Sequence, residues 1–344
     1  MSSNDGAIEA ERAKAGFYFV EEENPGVKIQ MELNAILHKE ESLYQSIQVI
    51  DTYWGRTLVT DGKTQSAQHD EFIYHETLVH APLLKSGMLH ANGEMPSSIF
   101  IGGGGELATA REVLRHSSVK RVVMVDLDEA VINVCKKFLP EWGGEEVATD
   151  PRLELIVGDA YNYLINTDET FDVIIMDISD PIEAGPGIML YTQEFYQHAK
   201  TRLNMPHGVF VTQSGTADIL KPPGVSPEKP DPTCFGPILN TLASVFDCAV
   251  PYATYIPSYG GDWGFVMAFQ ANQSNAEEAI QETCMPPSGL VDELLSQDIT
   301  GGTDALRHYD GTCHLRLFSL PKATRSALAK DDRIMTKGNP IFMF

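Results

Sequence analysis

Basic residues are scarce in this 344-residue chain: 25 Lys and Arg stand against 48 Asp and Glu, for a formal net charge of −23. That balance opposes nucleic acid and anionic membrane as partners, suits a cationic ligand and favours solubility. Long apolar runs are missing as well. None approaches the ~20 residues of a membrane span, and the opening stretch MSSNDGAIEAERAK has no hydrophobic h-region, so neither a span nor a secretory signal is expected. Cysteines are few: Cys135, Cys234, Cys248, Cys284 and Cys313 are odd in number, widely spaced and without a C-x-x-C pair. They read as reduced thiols of a cytoplasmic protein. No internal repeat or long low-complexity tract is visible.

What is present reads as a large α/β domain with a smaller appendage. Residues 1–14 are expected to be a mobile tail. Residues 15–69 carry β patterns, with Asp61-Gly62 as a hairpin signal, and are expected to form a small antiparallel β domain. A helix is expected from Asp70 to Leu84, bent or ended by Pro82. From Ser98 onward, apolar strands alternate with helical patterns: SIFIG, RVVMVD, LELIVGD, FDVIIMD and GVFVTQ. Their continuous apolar character implies a Rossmann-like, mostly parallel sheet of the class I methyltransferase type with helices on both faces, within a catalytic domain of residues 70–344. KPPGVSPEKPDP (221–232) reads as a surface loop, Ile238–Phe246 as helix, and VPYATYIP and GFVMAFQ as strands paired antiparallel across SYGGDW. The last sixty or so residues have weak periodicity apart from a short helix in PKATRSALAK.

The dinucleotide fingerprint lacks its third glycine. Glycines 102–105 break the first strand of the main domain into a bare-backbone turn, but Glu106 follows directly and Ala108 is the nearest small residue. A carboxylate there repels a pyrophosphate, so the turn favours a nucleoside without phosphate, and S-adenosyl compounds are the commonest of these. Asp126 lies twenty residues after Glu106 at the next strand end, where an acid binds both hydroxyls of a ribose. Asp159, in Gly158-Asp159-Ala160, reads equally as an acceptor for an adenine amino group or as a helix cap. Asp177 and Asp180 stand three apart around a turn at a strand's carboxyl end. Two carboxylates there can hold an ammonium and accept the proton an amine must lose before it attacks carbon. Asp180, before Pro181, also reads as an ordinary turn residue.

These residues, with YQSIQV, LVTDGKTQSAQHDEFIYHE, VDLDEAVI, KKFLP, VGDA and DISDP, give a chain that resembles the polyamine aminopropyltransferases, the spermidine and spermine synthase family, from about Tyr18 to Leu328. Within that family it is most similar to the thermospermine branch, through Glu106, Tyr74-His75-Glu76, the loop PIEAGPGIMLY, VTQSG and PSYGGDWGFVMA. The resemblance implies that Gln45, Gln65, Glu106, Asp126, Asp159 and Ala160 hold decarboxylated S-adenosylmethionine as a co-substrate. It makes Asp177, assisted by Tyr74, the base or amine anchor. Asp180, Glu76, His75, Gln213 and Tyr259 would then grip the polyamine, with Trp263 at the far end of its channel and Glu183 a candidate partner for a third ammonium. No metal or resident cofactor is expected, and a homodimer or higher homo-oligomer is. Spermine or spermidine synthase activity, a methyltransferase and a non-catalytic polyamine sensor are the alternative readings.

Overall fold

The computed structural model describes residues 16–24, 27–90, 93–182, 186–218, 233–271 and 275–343, in two units of residues 1–71 and 72–344. The expected N-terminal tail, the proline-rich segment 221–232 and Glu183 lie outside the described residues.

The first unit is an antiparallel meander in sequence order: β1 (Tyr18–Asn24), β2 (Val27–Glu41), β3 (Ser46–Thr52), β4 (Gly55–Thr60) and β5 (Lys63–Ala67). Asp61 and Gly62 both have positive φ, 50° and 78°, which is the twist a two-residue hairpin needs. The sheet curls, so that Glu21 of β1 accepts the backbone N–H of Thr64 on β5 at 3.0 Å.

The second unit begins with α1 (Glu71–Leu89) and then alternates: β6 (Ser98–Gly103), α2 (Ala108–Leu114), β7 (Arg121–Asp126), α3 (Glu129–Phe138), α4 (Gly144–Ala148), β8 (Leu153–Val157), α5 (Ala160–Asn166), β9 (Val173–Asp177), α6 (Gln193–Lys200), β10 (Val209–Thr216), α7 (Phe235–Ala243), β11 (Cys248–Ile256) and β12 (Gly261–Phe269). The sheet order is β11-β12-β10-β9-β6-β7-β8, with the five strands β10 to β8 paired in parallel and β12 paired antiparallel with both β10 and β11. From β6 the chain moves first to β7 and β8 on one side, then to β9 and β10 on the other. The switch point therefore falls between β6 and β9, where ligands of such sheets bind. Register places Gly103 beside Asp177 there.

Period-two alternation explains why these strands are apolar throughout. Ile99, Ile101, Val173, Ile175, Val209 and Val211 pack into one core with α1, whereas Phe100, Ile174, Met176 and Phe210 pack into another with residues of α5, α6 and α7.

Several boundaries differ from the sequence reading. α1 does not end at Pro82 but runs through it to Leu89. Leu78, Val79, Leu83 and Leu84 on either side are almost fully buried, and that packing outweighs the backbone hydrogen bond a proline forfeits. α7 starts and stops three residues earlier than Ile238–Phe246. The weakly periodic C-terminal segment holds α8 (Ala276–Cys284), α9 (Leu290–Asp298), α10 (Gly311–Leu317) and α11 (Lys322–Leu328), each too short to carry a long repeat.

Candidate active site

Backbone geometry at the glycine turn requires glycine. Gly103 and Gly104 have φ of +81° and +76°, and a Cβ on Gly103 would stand 2.1 Å from the carbonyl oxygen of Asp177. The close approach lets the N–H of Gly104 donate to that oxygen at 2.9 Å, stitching the two strand ends together. The next N–H, of Gly105, donates to Asp126 Oδ2 at 2.9 Å, and a Cβ on Gly105 would collide with that carboxylate.

Asp177 is held from both sides. Tyr74 on α1 donates its hydroxyl to Oδ1 at 2.7 Å, and Thr109 on α2 donates to Oδ2 at 2.5 Å. Burial lifts the Asp177 pKa above the ordinary carboxylate range; Glu106 adds to the rise, and His75, Thr109 and Tyr74 oppose it. A carboxylate raised in this way is a stronger proton acceptor than one in water. The Tyr74 phenol is pushed well above its usual value by burial and by Asp177, so it stays a hydrogen-bond donor.

Asp126 ends β7 on the opposite side of the turn. Burial pushes its pKa up to about 6, against the pull of the N–H groups of Asp128 and Gly105, with Asp128 and Asp177 adding negative charge. Acids thus crowd the strand ends, a field that favours a sulfonium and ammonium groups over any anion. Asp159 caps α5: its Oδ1 accepts from the N–H of Tyr161 at 2.8 Å and its Oδ2 from the side chain of Asn162 at 2.7 Å. Of the two readings open for Asp159, the geometry displays the cap. Ala160, buried, is the first residue of that helix.

Gln213 on β10, one residue past that strand's last pair with β9, is a rivet. Its amide nitrogen lies 2.7 Å from Ile178 O, 3.0 Å from Asp180 Oδ1 and 2.8 Å from the Tyr191 hydroxyl, and its oxygen accepts from Gly215 N–H at 2.9 Å. Tyr191 in turn donates to the carbonyl of Ser179 at 3.1 Å. The turn bearing Asp180 is therefore fixed to the sheet, and Gln213 positions that acid. Tyr259 lies between Tyr74 and Trp263, edge-on to both, with ring centroids 6.4 Å and 4.8 Å away. The Trp263 indole N–H is buried, with no hydrogen-bond partner among the described residues.

The other expected site residues make the following contacts. His75 Nε2 meets Glu106 Oε1 at 2.5 Å, so these two side chains hold each other on the α1 side of the turn. Glu76 points to the loop 307–309, where its carboxylate accepts three backbone N–H groups, from Arg307, His308 and Tyr309, each at 2.8 Å. That is the coordination of a structural clamp, and it corrects the expectation that Glu76 grips the amine. Gln45 and Gln65 belong to the first unit: Gln45 precedes β3, and Gln65 donates to the carbonyl of Lys63 at 3.2 Å. Sequence reasoning missed Thr109 and Tyr191. Thr109 had a signal, a hydroxyl in the first turn of the helix that follows the glycines; Tyr191 had none, because it reaches the site only through the fold.

The described residues include no helix long and apolar enough to cross a membrane. The model of the spermine/spermidine synthase domain matches residues 71–279, and that of the spermidine synthase tetramerisation domain matches residues 17–68. A polyamine aminopropyltransferase of Aeropyrum pernix is 37% identical over 95% of this chain and 95% of its own. A thermospermine synthase of Arabidopsis thaliana is 40% identical over 92% of this chain and 84% of its own. Among solved structures, a spermidine synthase in complex with the transition state analogue AdoDATO superposes with a TM-score of 0.74 at 27% identity, covering 92% of this chain and 96% of that one. With the fold, both domain matches and these relatives in agreement, the chain belongs to the spermine/spermidine synthase family, the polyamine aminopropyltransferases.

Proposed function

We propose that this enzyme transfers the aminopropyl group of decarboxylated S-adenosylmethionine to spermidine, giving thermospermine and methylthioadenosine. The observation that carries the reading is Asp177: a buried carboxylate with a raised pKa, fixed by Tyr74 and Thr109 at the switch point beside Asp126. A sulfonium makes its neighbouring methylene electrophilic without help from a metal. The lone pair of a neutral amine forms the new C–N bond as the C–S bond breaks, the C–S electron pair leaves on sulfur as methylthioadenosine, and Asp177 takes the surplus proton. Asp126 would accept from the ribose hydroxyls, Glu106 would face the sulfonium end, Ala160 would lie against the adenine, and Gln45 and Gln65 are proposed to complete the nucleoside site. Asp180 would hold an ammonium of the acceptor, in a channel continued by Tyr259 and Trp263.

The choice of spermidine rests on the motifs shared with the thermospermine branch and on the Arabidopsis relative. Purified enzyme with decarboxylated S-adenosylmethionine should prefer spermidine to putrescine by at least about tenfold in kcat/KM, and chromatography that resolves the tetraamine isomers should show the asymmetric one. Dominant conversion of putrescine to spermidine would overturn the choice of acceptor. We also propose a homo-oligomer, supported by the tetramerisation-domain match and by exposed apolar side chains on the first unit, among them Phe17, Val27, Leu43 and Tyr53. Light scattering separates dimer from tetramer.

A further inference from the structure

The segment after α11 returns to the site along a defined path. Met335 donates its N–H to Thr241 Oγ1 at 2.9 Å, Lys337 donates its N–H to Glu194 Oε2 at 3.0 Å, and the carbonyl of Ile341 accepts from the Cys234 thiol at 3.8 Å. Ile341 and Met343, partly buried, then pack on the core face carrying Ala217, Cys234 and Phe235. The N–H of Met343 donates to the carbonyl of Pro181, the residue after Asp180, at 2.8 Å. The side chain comes to the same point. A Cβ built on Gly215 would lie 2.7 Å from Met343 Sδ and 3.4 Å from Asp180 Oδ1, so thioether and carboxylate oxygen face one small space above Gly215. Gly215 has φ of +71° and its N–H is held by Gln213, which also holds Asp180.

We propose that Met343 is a specificity-determining residue for the acceptor amine, its thioether packing on the methylenes next to the ammonium that Asp180 holds. The inference rests on the function proposed above. A polyamine alternates charge with apolar spacers, so a site that reads it needs an apolar surface set directly beside each acid. Carboxylate and thioether side by side over a glycine supply that pair, and methionine's unbranched, polarizable chain suits a flexible spacer. The backbone bond to Pro181 is a second, separable contribution: it straps the turn that carries Asp180.

Met343→Ala removes the thioether and keeps the strap; Met343→Leu keeps the apolar volume. For Met343→Ala, KM for spermidine should rise about tenfold, the factor that burying one to two methylenes is worth. kcat, KM for decarboxylated S-adenosylmethionine, affinity for methylthioadenosine and melting temperature should stay within about twofold or a degree or two of wild type. Met343→Leu should restore most of the loss. Deleting residues from Ile341 onward should raise the spermidine KM further and lower the melting temperature. An unchanged spermidine KM in Met343→Ala, or a rise matched by an equal loss of nucleoside affinity, refutes the proposal while leaving the function standing. A wild-type enzyme that transfers no aminopropyl group refutes both.

Discussion

Lowering the pH should weaken nucleoside binding through a single group, Asp126. Burial places its pKa at about 6. Ribose hydroxyls donate to a carboxylate and not to a carboxylic acid's O–H, so only the ionised form binds well. At pH 7 about nine-tenths of the molecules carry the charge and at pH 5 about one-tenth, so affinity for methylthioadenosine should fall about tenfold between those values. Two charge-assisted bonds of about 1.5–3 kcal/mol each are at stake. Because binding favours the ionised form, the ligand lowers the pKa and a proton is released: about half a proton per ligand at pH 6, approaching one at pH 5. The raised pKa acts on folding in the opposite direction: Asp126 adds stability that is fully present below about pH 4 and is lost as the pH rises through about 6. Titration calorimetry in buffers of different ionisation enthalpy reads both affinity and proton release. Asp126→Asn should bind at least tenfold more weakly at pH 7 and lose the pH dependence. An affinity flat from pH 5 to 7 in the wild type, or an unchanged slope in the variant, would refute the assignment.

Thr109→Val should cut kcat roughly tenfold or more, since it strips a hydrogen bond from a buried carboxylate, with methylthioadenosine affinity unchanged by calorimetry. Glu76→Gln faces an amide NH2 toward three backbone donors and should cost about 2–4 kcal/mol in chemical denaturation, while the ratio of spermidine to putrescine turnover stays as in the wild type.

Much of this arrangement can be read from local pattern. Continuous apolar strands ending in Gly102-Gly103, Asp126 and Asp177 locate both the parallel sheet and its ligand edge, because sheet chemistry depends on residues that sit at strand ends. Asp177 and Tyr74 meet at 2.7 Å although 103 residues separate them, and it was the family motifs, not spacing, that linked the two. Glu76 shows where such reading fails. Its neighbours in the motif face the site, yet one residue further along α1 turns the side chain by about 100° and delivers it to a loop more than two hundred residues away. Gln213 is similar: an amide at the carboxyl end of an apolar run reads as a ligand group, but two of its four contacts go to the turn it anchors and the other two to Tyr191 and Gly215. Tyr191 and Met343 carry no local signal, since a hydroxyl or a thioether becomes part of a site only when distant chain returns to it.

Asp177→Asn tests the central claim most directly, with methylthioadenosine affinity and turnover measured on the same preparation. The variant keeps the size of the side chain and loses the proton acceptor. Turnover with decarboxylated S-adenosylmethionine and spermidine should fall by roughly 10² or more while nucleoside affinity stays within a few-fold of wild type. Near-normal turnover in the variant would remove Asp177 from the reaction and contradict the account.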